Sequence, residues 1–224
     1  TDIQAFLDNT IEEQKEIDNA INEEIIQEST IPKAAQFMYQ KAIIFYDKGN
    51  VERSMQNLEA AINFYPKYTE AYVTMGIILS KTEQTEKVID SYKQAIKIDP
   101  EHAKAYNNLG TALKEKGEVK AAIQNYKKAL NINPDYLLAY SNLGSALQEI
   151  GDVDAAIESY DNALKIESNS IGVNYNQSLA YLYKGDFKSG WAKYEWRWKK
   201  DKKESSALET TKPRWSSSEK NRVL

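Results

Sequence analysis

The apolar residues of this chain fall into short stripes of helical period. Tyr106, Leu109, Gly110 and Leu113 stand at i, i+3, i+4 and i+7, one face of an amphipathic helix. A second stripe, Ala122, Tyr126 and Ala129, follows Lys116-Gly117-Glu118, a stop signal in which glycine is available for a left-handed cap. The predicted local unit is therefore helix, glycine turn, helix. Gly49, Gly151 and Gly185 occupy places equivalent to Gly117, whereas Glu83 stands at that place in the second unit. A side chain there predicts a strained or differently shaped turn.

The unit recurs every 34 residues. Pro66, Pro100, Pro134 and Ser168 share one register. So do Tyr72, Tyr106 and Tyr140, then Tyr92, Tyr126 and Tyr160, and then Ala61, Ala95, Ala129 and Ala163. Met75-Gly76, Leu109-Gly110 and Leu143-Gly144 form a further set. Small residues let two helices approach, so Gly76, Gly110 and Gly144 are expected to face their partner helix, as are the alanines. Burying each large Tyr or Leu between pairs contributes roughly 1.5–3 kcal/mol. One pair cannot bury its stripe alone, so pairs must stack. The proline ends each second helix because it cannot donate the next backbone bond.

These positions resemble the tetratricopeptide repeat family. Its pattern has an aromatic at position 4, Leu-Gly at 7–8, Ala at 20, an aromatic at 24, Ala at 27 and Pro at 32. The match spans about residues 35–200 and implies an all-α, right-handed superhelical solenoid of antiparallel helix pairs. The units are 35–68, 69–102, 103–136, 137–170 and a degenerate 171–200. In the first, Met38, Lys41 and Leu58 replace pattern residues; in the last, Asn174, Gln177, Ser178 and Arg197 do. Terminal repeats meet solvent or another domain on one face, so such departures are expected.

The resemblance also implies a concave groove lined by the first helix of each pair. Carried onto this chain, its lining is Tyr39, Ile43, Tyr46, Val73 and Ile77, then Asn107, Thr111, Lys114, Ser141 and Ser145, then Tyr175 and Leu179. The order is apolar, polar, apolar. An exposed apolar patch of that size marks a binding site or something that covers it, and an amphipathic helix would fit. Asn108, Asn142 and Asn176 recur beside this lining. A ladder of amides can bond both groups of an extended peptide backbone. It resembles the asparagine ladder of the O-linked N-acetylglucosamine transferase family. The other reading is that each asparagine bonds its own solenoid.

Outside the repeats, residues 3–28 read as an acidic helix with Ile3, Leu7, Ile11, Ile17, Ile21 and Ile25 as an intermittent stripe, ended before Pro32. Three placements are open: a cap on the solenoid, a pairing surface for self-association, or an occupant of the groove. Residues 187–200 read as one helix with Phe187, Trp191, Tyr194 and Trp198 on one face, either a core face or a stacking platform for bases. Residues 201–224 read as a basic linker or tail. The stretch from Gly185-Asp186-Phe187 to Pro213-Arg214-Trp215 resembles the junction of bacterial repeat proteins that lead into a glycosyltransferase-like domain, although Ser216 follows where that family has Gly. That resemblance implies a non-catalytic, acceptor-choosing arm of a larger enzyme.

Charge and composition narrow the function. The first thirty residues carry nine acids and one base, and residues 184–224 carry twelve bases and six acids. The acidic start is the opposite of a secretory or transit peptide, and no apolar run approaches the ~18 residues of a membrane span. A cytoplasmic location is expected. With no cysteine and one histidine, His102, thiolate and multi-histidine metal sites are excluded. The glycines are isolated, so no phosphate loop exists, and no Ser-His-Asp set can be assembled. Neither catalysis, cofactor nor metal is expected. Lys and Arg do not cluster within the repeats, so duplex nucleic acid is not an expected partner. The expected function is a protein-interaction module that binds a protein or peptide ligand.

Overall fold

A computed structural model describes Lys15, Asp18, residues 31–82 and residues 84–200, with the side chains of 199 and 200 left aside. The expected turn at Glu83, most of the acidic N-terminal helix and the whole linker with its Pro-x-Trp segment lie outside the described residues. Two compact units divide the chain, Thr1–Gly117 and Glu118–Leu224. Every regular element among the described residues is helical.

The first unit holds α1 (Lys33–Asp47), α2 (Val51–Phe64), α3 (Thr69–Leu79), α4 (Thr85–Ile98) and α5 (Ala103–Glu115). The second holds α6 (Val119–Ile132), α7 (Leu137–Glu149), α8 (Val153–Ile166), α9 (Ile171–Lys184), α10 (Phe187–Tyr194) and the short α11 (Arg197–Lys200). Helices α1 and α2, α3 and α4, α7 and α8, and α9 and α10 pack as antiparallel pairs, and each second helix within a unit packs on the next first helix.

Local chemistry sets the ends. Gly49, Gly117, Gly151 and Gly185 all take positive φ, between 78° and 87°, as the turn reading requires. Polar caps start several helices. Asn50 Oδ1 accepts from Arg53 N, Asp152 Oδ1 from Ala155 N, and Asp186 Oδ1 from Ser189 N. The one histidine does the same, with His102 Nδ1 accepting from Ala105 N at 3.1 Å. That makes it a capping residue. Tyr65, Asp99 and Asn133, each before a proline, take extended ψ near 90°. Glu167 does so before Ser168, where the proline is missing.

The small residues sit as read. Ala61, Ala95, Ala129 and Ala163 are fully buried, and Tyr92, Tyr126 and Tyr160 are nearly so. A Cβ built on Gly76 would lie 2.5 Å from the Tyr92 ring, and one on Gly144 would lie 2.6 Å from the Tyr160 ring. Each glycine is thus the notch that admits its partner helix's tyrosine.

At the start of the first unit, Lys41 meets Asp18 at 3.0 Å and lies over the Phe37 ring. The neighbouring Phe45 is buried and packs with Phe37, Ile44 and the Arg53 guanidinium. At the other end, the single helix expected over 187–200 is broken. It ends at Tyr194, turns through Glu195-Trp196 with Trp196 N donating to Lys193 O, and resumes at Arg197. Tyr194 packs against Trp191 and Tyr175, while Phe187, Trp191 and Trp198 remain about half exposed. The core-face reading therefore holds for Tyr194 alone.

Candidate functional site

The predicted lining residues come from the first helices, α1, α3, α5, α7 and α9. In the first unit, Tyr39, Ile43, Tyr46 and Ile77 are partly exposed, whereas Val73 is buried at 4%. Tyr39 hydrogen-bonds Thr74 at 3.1 Å and packs its ring 5.0 Å from that of Tyr68. It is as much a joint between α1 and α3 as a surface. Asn107 is also buried at 4%, and its Nδ2 donates to Asn108 Oδ1 at 3.3 Å. Val73 and Asn107 hold the same repeat position, one that turns into the seam between helices. Thr111 bonds the backbone of Asn107 at 3.2 Å, and Lys114 stays partly exposed.

Asn108 lies near enough to the Tyr92 phenol to act on its pKa. That tyrosine crosses the Gly76 notch, so its ring belongs to the core while its oxygen emerges on the first-helix side. Burial holds the Tyr92 phenol well above its ordinary pKa, with the Glu115 carboxylate adding to the effect and Asn108 opposing it. The phenol is neutral at any physiological pH and acts as a hydrogen-bonding group.

The second unit repeats this arrangement and opens it. Tyr160 crosses the Gly144 notch, and its burial pushes the phenol up to about 12. With Ser145, Asn176 and Leu179 it lines a cavity of about 300 Å³, edged by Gln148, Glu149 and Tyr183. Three predicted residues are therefore brought to one place. Ser141 and Asn142 on α7 are partly exposed near by in sequence, and Tyr175 turns its ring to Tyr194 at 5.7 Å. The sequence reading assigned Tyr160 to the core alone and missed its hydroxyl. The signal was present: the four aromatics of that register, Tyr92, Tyr126, Tyr160 and Tyr194, are all tyrosine, and a ring wanted only for packing needs no oxygen.

No group of His, Cys, Asp and Glu among the described residues has metal-binding geometry, and no described helix is long and apolar enough to cross a membrane.

Comparison with known proteins bears on the repeats directly. A family model described as TPR repeat matches residues 78–117 and 110–151, and one described as tetratricopeptide repeat matches 35–68 and 137–170. Together they cover more than half of the sequence. The chain belongs to the tetratricopeptide repeat family. Its fold class is the all-α solenoid of antiparallel helix pairs that the 34-residue period implied. No curated protein matches it. Among solved structures, a crystal structure of MamA is 25% identical, with 71% of this chain and 94% of that one covered at a TM-score of 0.65. MamA 41-end from Desulfovibrio magneticus RS-1 is 18% identical, covering 79% and 100% at 0.69. YrrB, described as a TPR protein with an unusual peptide-binding site, is 19% identical, covering 80% and 89% at 0.61.

Proposed function

We propose that this chain is a protein-interaction module that holds an extended peptide along the first-helix surface, with the Ser145–Tyr160–Asn176 cavity as its anchoring point. One observation carries the reading: a buried tyrosine is threaded past a glycine and lines one open cavity together with an amide and a serine. The Asn176 amide offers a donor and an acceptor, the pair that a peptide bond needs. Leu179 and Tyr183 supply apolar walls, and Glu149 favours a basic residue at the rim. The description of YrrB and the family's helix-pair architecture support a peptide as the guest.

The test is selection of peptides from a random library on the whole chain, followed by affinity measurement on the double variant Tyr160→Phe, Asn176→Ala. At least a tenfold loss with unchanged helical circular dichroism is expected. Undiminished binding by the variant removes this surface from consideration.

A further inference from the structure

A second cavity opens on the other side of α9. In the two preceding units, the first-helix core positions are Tyr106, Leu109 and Gly110, and Tyr140, Leu143 and Gly144. In the last unit they are Asn174, Gln177 and Ser178, which are 3%, 0% and 0% exposed. Burying polar side chains is unfavourable unless their atoms are paired. A unit needed only for stacking would have kept the apolar set.

These amides orient charged groups. Asn174 gives its Nδ2 hydrogens to Ser168 O and Ser170 O, at 3.1 and 2.9 Å. Its Oδ1 is thereby fixed and accepts from Lys193 Nζ at 3.1 Å. Gln177 Nε2 donates to Asp161 Oδ1 at 2.6 Å, while Gln177 Oε1 is left without a partner. The result is an ammonium seated on a neutral amide in a cavity of about 520 Å³. Burial pushes the Lys193 pKa down, and the charge of Asp161 pulls it partly back. A second ammonium on the cavity wall, Lys165, also rests on a neutral amide, Asn162 Oδ1 at 2.8 Å. Glu158 and Asp161 complete the polar lining.

We propose that this cavity binds an α-carboxylate that carries a neighbouring N–H donor, the chemistry shared by a free amino acid and the C-terminal residue of a peptide. The carboxylate lies against Lys193 and Lys165, replacing neutral amide acceptors by an anionic one. The N–H turns to Glu158 and to the Asp161 oxygen that Gln177 leaves open. The same two acids repel a dianion, so inorganic phosphate is disfavoured. The site is separate from the Tyr160 cavity, which shares none of these residues.

The experiment is calorimetric titration of the whole chain with N-acetyl-trialanine, its C-terminal amide, free alanine and inorganic phosphate, on wild type, Lys193→Met and Asn176→Ala. The expected result is that a free-carboxylate probe binds at least tenfold more tightly than the carboxamide, that Lys193→Met abolishes this preference, and that Asn176→Ala leaves it intact. Tighter binding of acetyl-trialanine assigns a peptide terminus, and tighter binding of alanine assigns a free amino acid. Equal binding of acid and amide, no binding, preference for phosphate, or a preference that survives Lys193→Met overturns the proposal. Should Lys193→Met fail to fold, the Asn174 side-chain amide signals of the wild type decide. They must shift with the acid and stay put with the amide, and any other pattern rejects the site.

Discussion

The ring of Tyr160 lies across Gly144 so closely that a Cβ on the glycine would fall 2.6 Å from ring carbon Cε1. Real Cβ contacts do not reach that distance, so Gly144→Ala must displace either the ring or the α7–α8 pair. The ring has little room, being 1% exposed. Overpacking of this kind costs typically ~1–3 kcal/mol. Urea unfolding should show that loss in Gly144→Ala and a smaller one when the same change is made in a Tyr160→Leu background. Equal losses in both backgrounds would show that the ring is not what the methyl meets.

Alkaline pH should weaken the second unit through Tyr160. The folded phenol sits at about 12, against an unfolded value of 10.0. A raised folded value gives stability that is complete below pH 10 and is lost as pH rises through 12. Denaturation midpoints measured from pH 9 to 12 should therefore fall more steeply for wild type than for Tyr160→Phe. The same slope in both would mean that the phenol is not shielded.

Gln177→Leu should stabilise the protein. It restores the residue type of Leu109 and Leu143 and removes a buried, unpaired Oε1. Leaving such a group unsatisfied costs about 1–3 kcal/mol, and Asp161, which loses its donor, is exposed and regains water. A rise in melting temperature is expected. A fall would mean that the bonds to Asp161 and Ile157 outweigh the orphaned oxygen.

Deleting residues 1–28 should raise the binding of an apolar dye. Lys41, whose side chain is 13% exposed, loses its Asp18 partner. Phe37, whose ring lies under the Lys41 ammonium, and its partly buried neighbour Ile44 stand on the same helix. Unchanged fluorescence would show that the Asp18 contact shields no apolar surface of α1.

Much of the fold was legible because its constraints act on single residues. A positive φ excludes most side chains, so Gly49, Gly117, Gly151 and Gly185 announced the turns. A notch admits only glycine, so Gly76 and Gly144 announced the close helix contacts. The break after Tyr194 was not legible, because Phe187, Trp191, Tyr194 and Trp198 keep a helical period. The chain turns there with the Arg197 guanidinium seated 4.1 Å from the Tyr194 ring centre and 4.5 Å from that of Trp198, an attraction that spacing does not record. In the candidate site, Ser145, Asn176 and Leu179 followed from repeat position alone. The burial of Val73 and Asn107 did not, since one repeat position can point to a seam in one pair and outward in another. Tyr160 escaped because a hydroxyl at the end of a buried ring leaves the hydrophobic pattern unchanged.

The amide of Gln177 finds an acid on the preceding helix only because residue 161 is aspartate; the equivalent places one and two units earlier are Lys127 and Lys93. Set beside either of those helices, Gln177 would have to turn its amide and offer Oε1 to the lysine, giving up the donor it now places on Asp161 and Ile157. Interior pairs are interchangeable bricks by comparison. An array of this kind can lengthen or shorten by duplicating pairs of the common type, whereas the α9–α10 pair is fitted through Gln177 and Asp161 to the one helix it meets here.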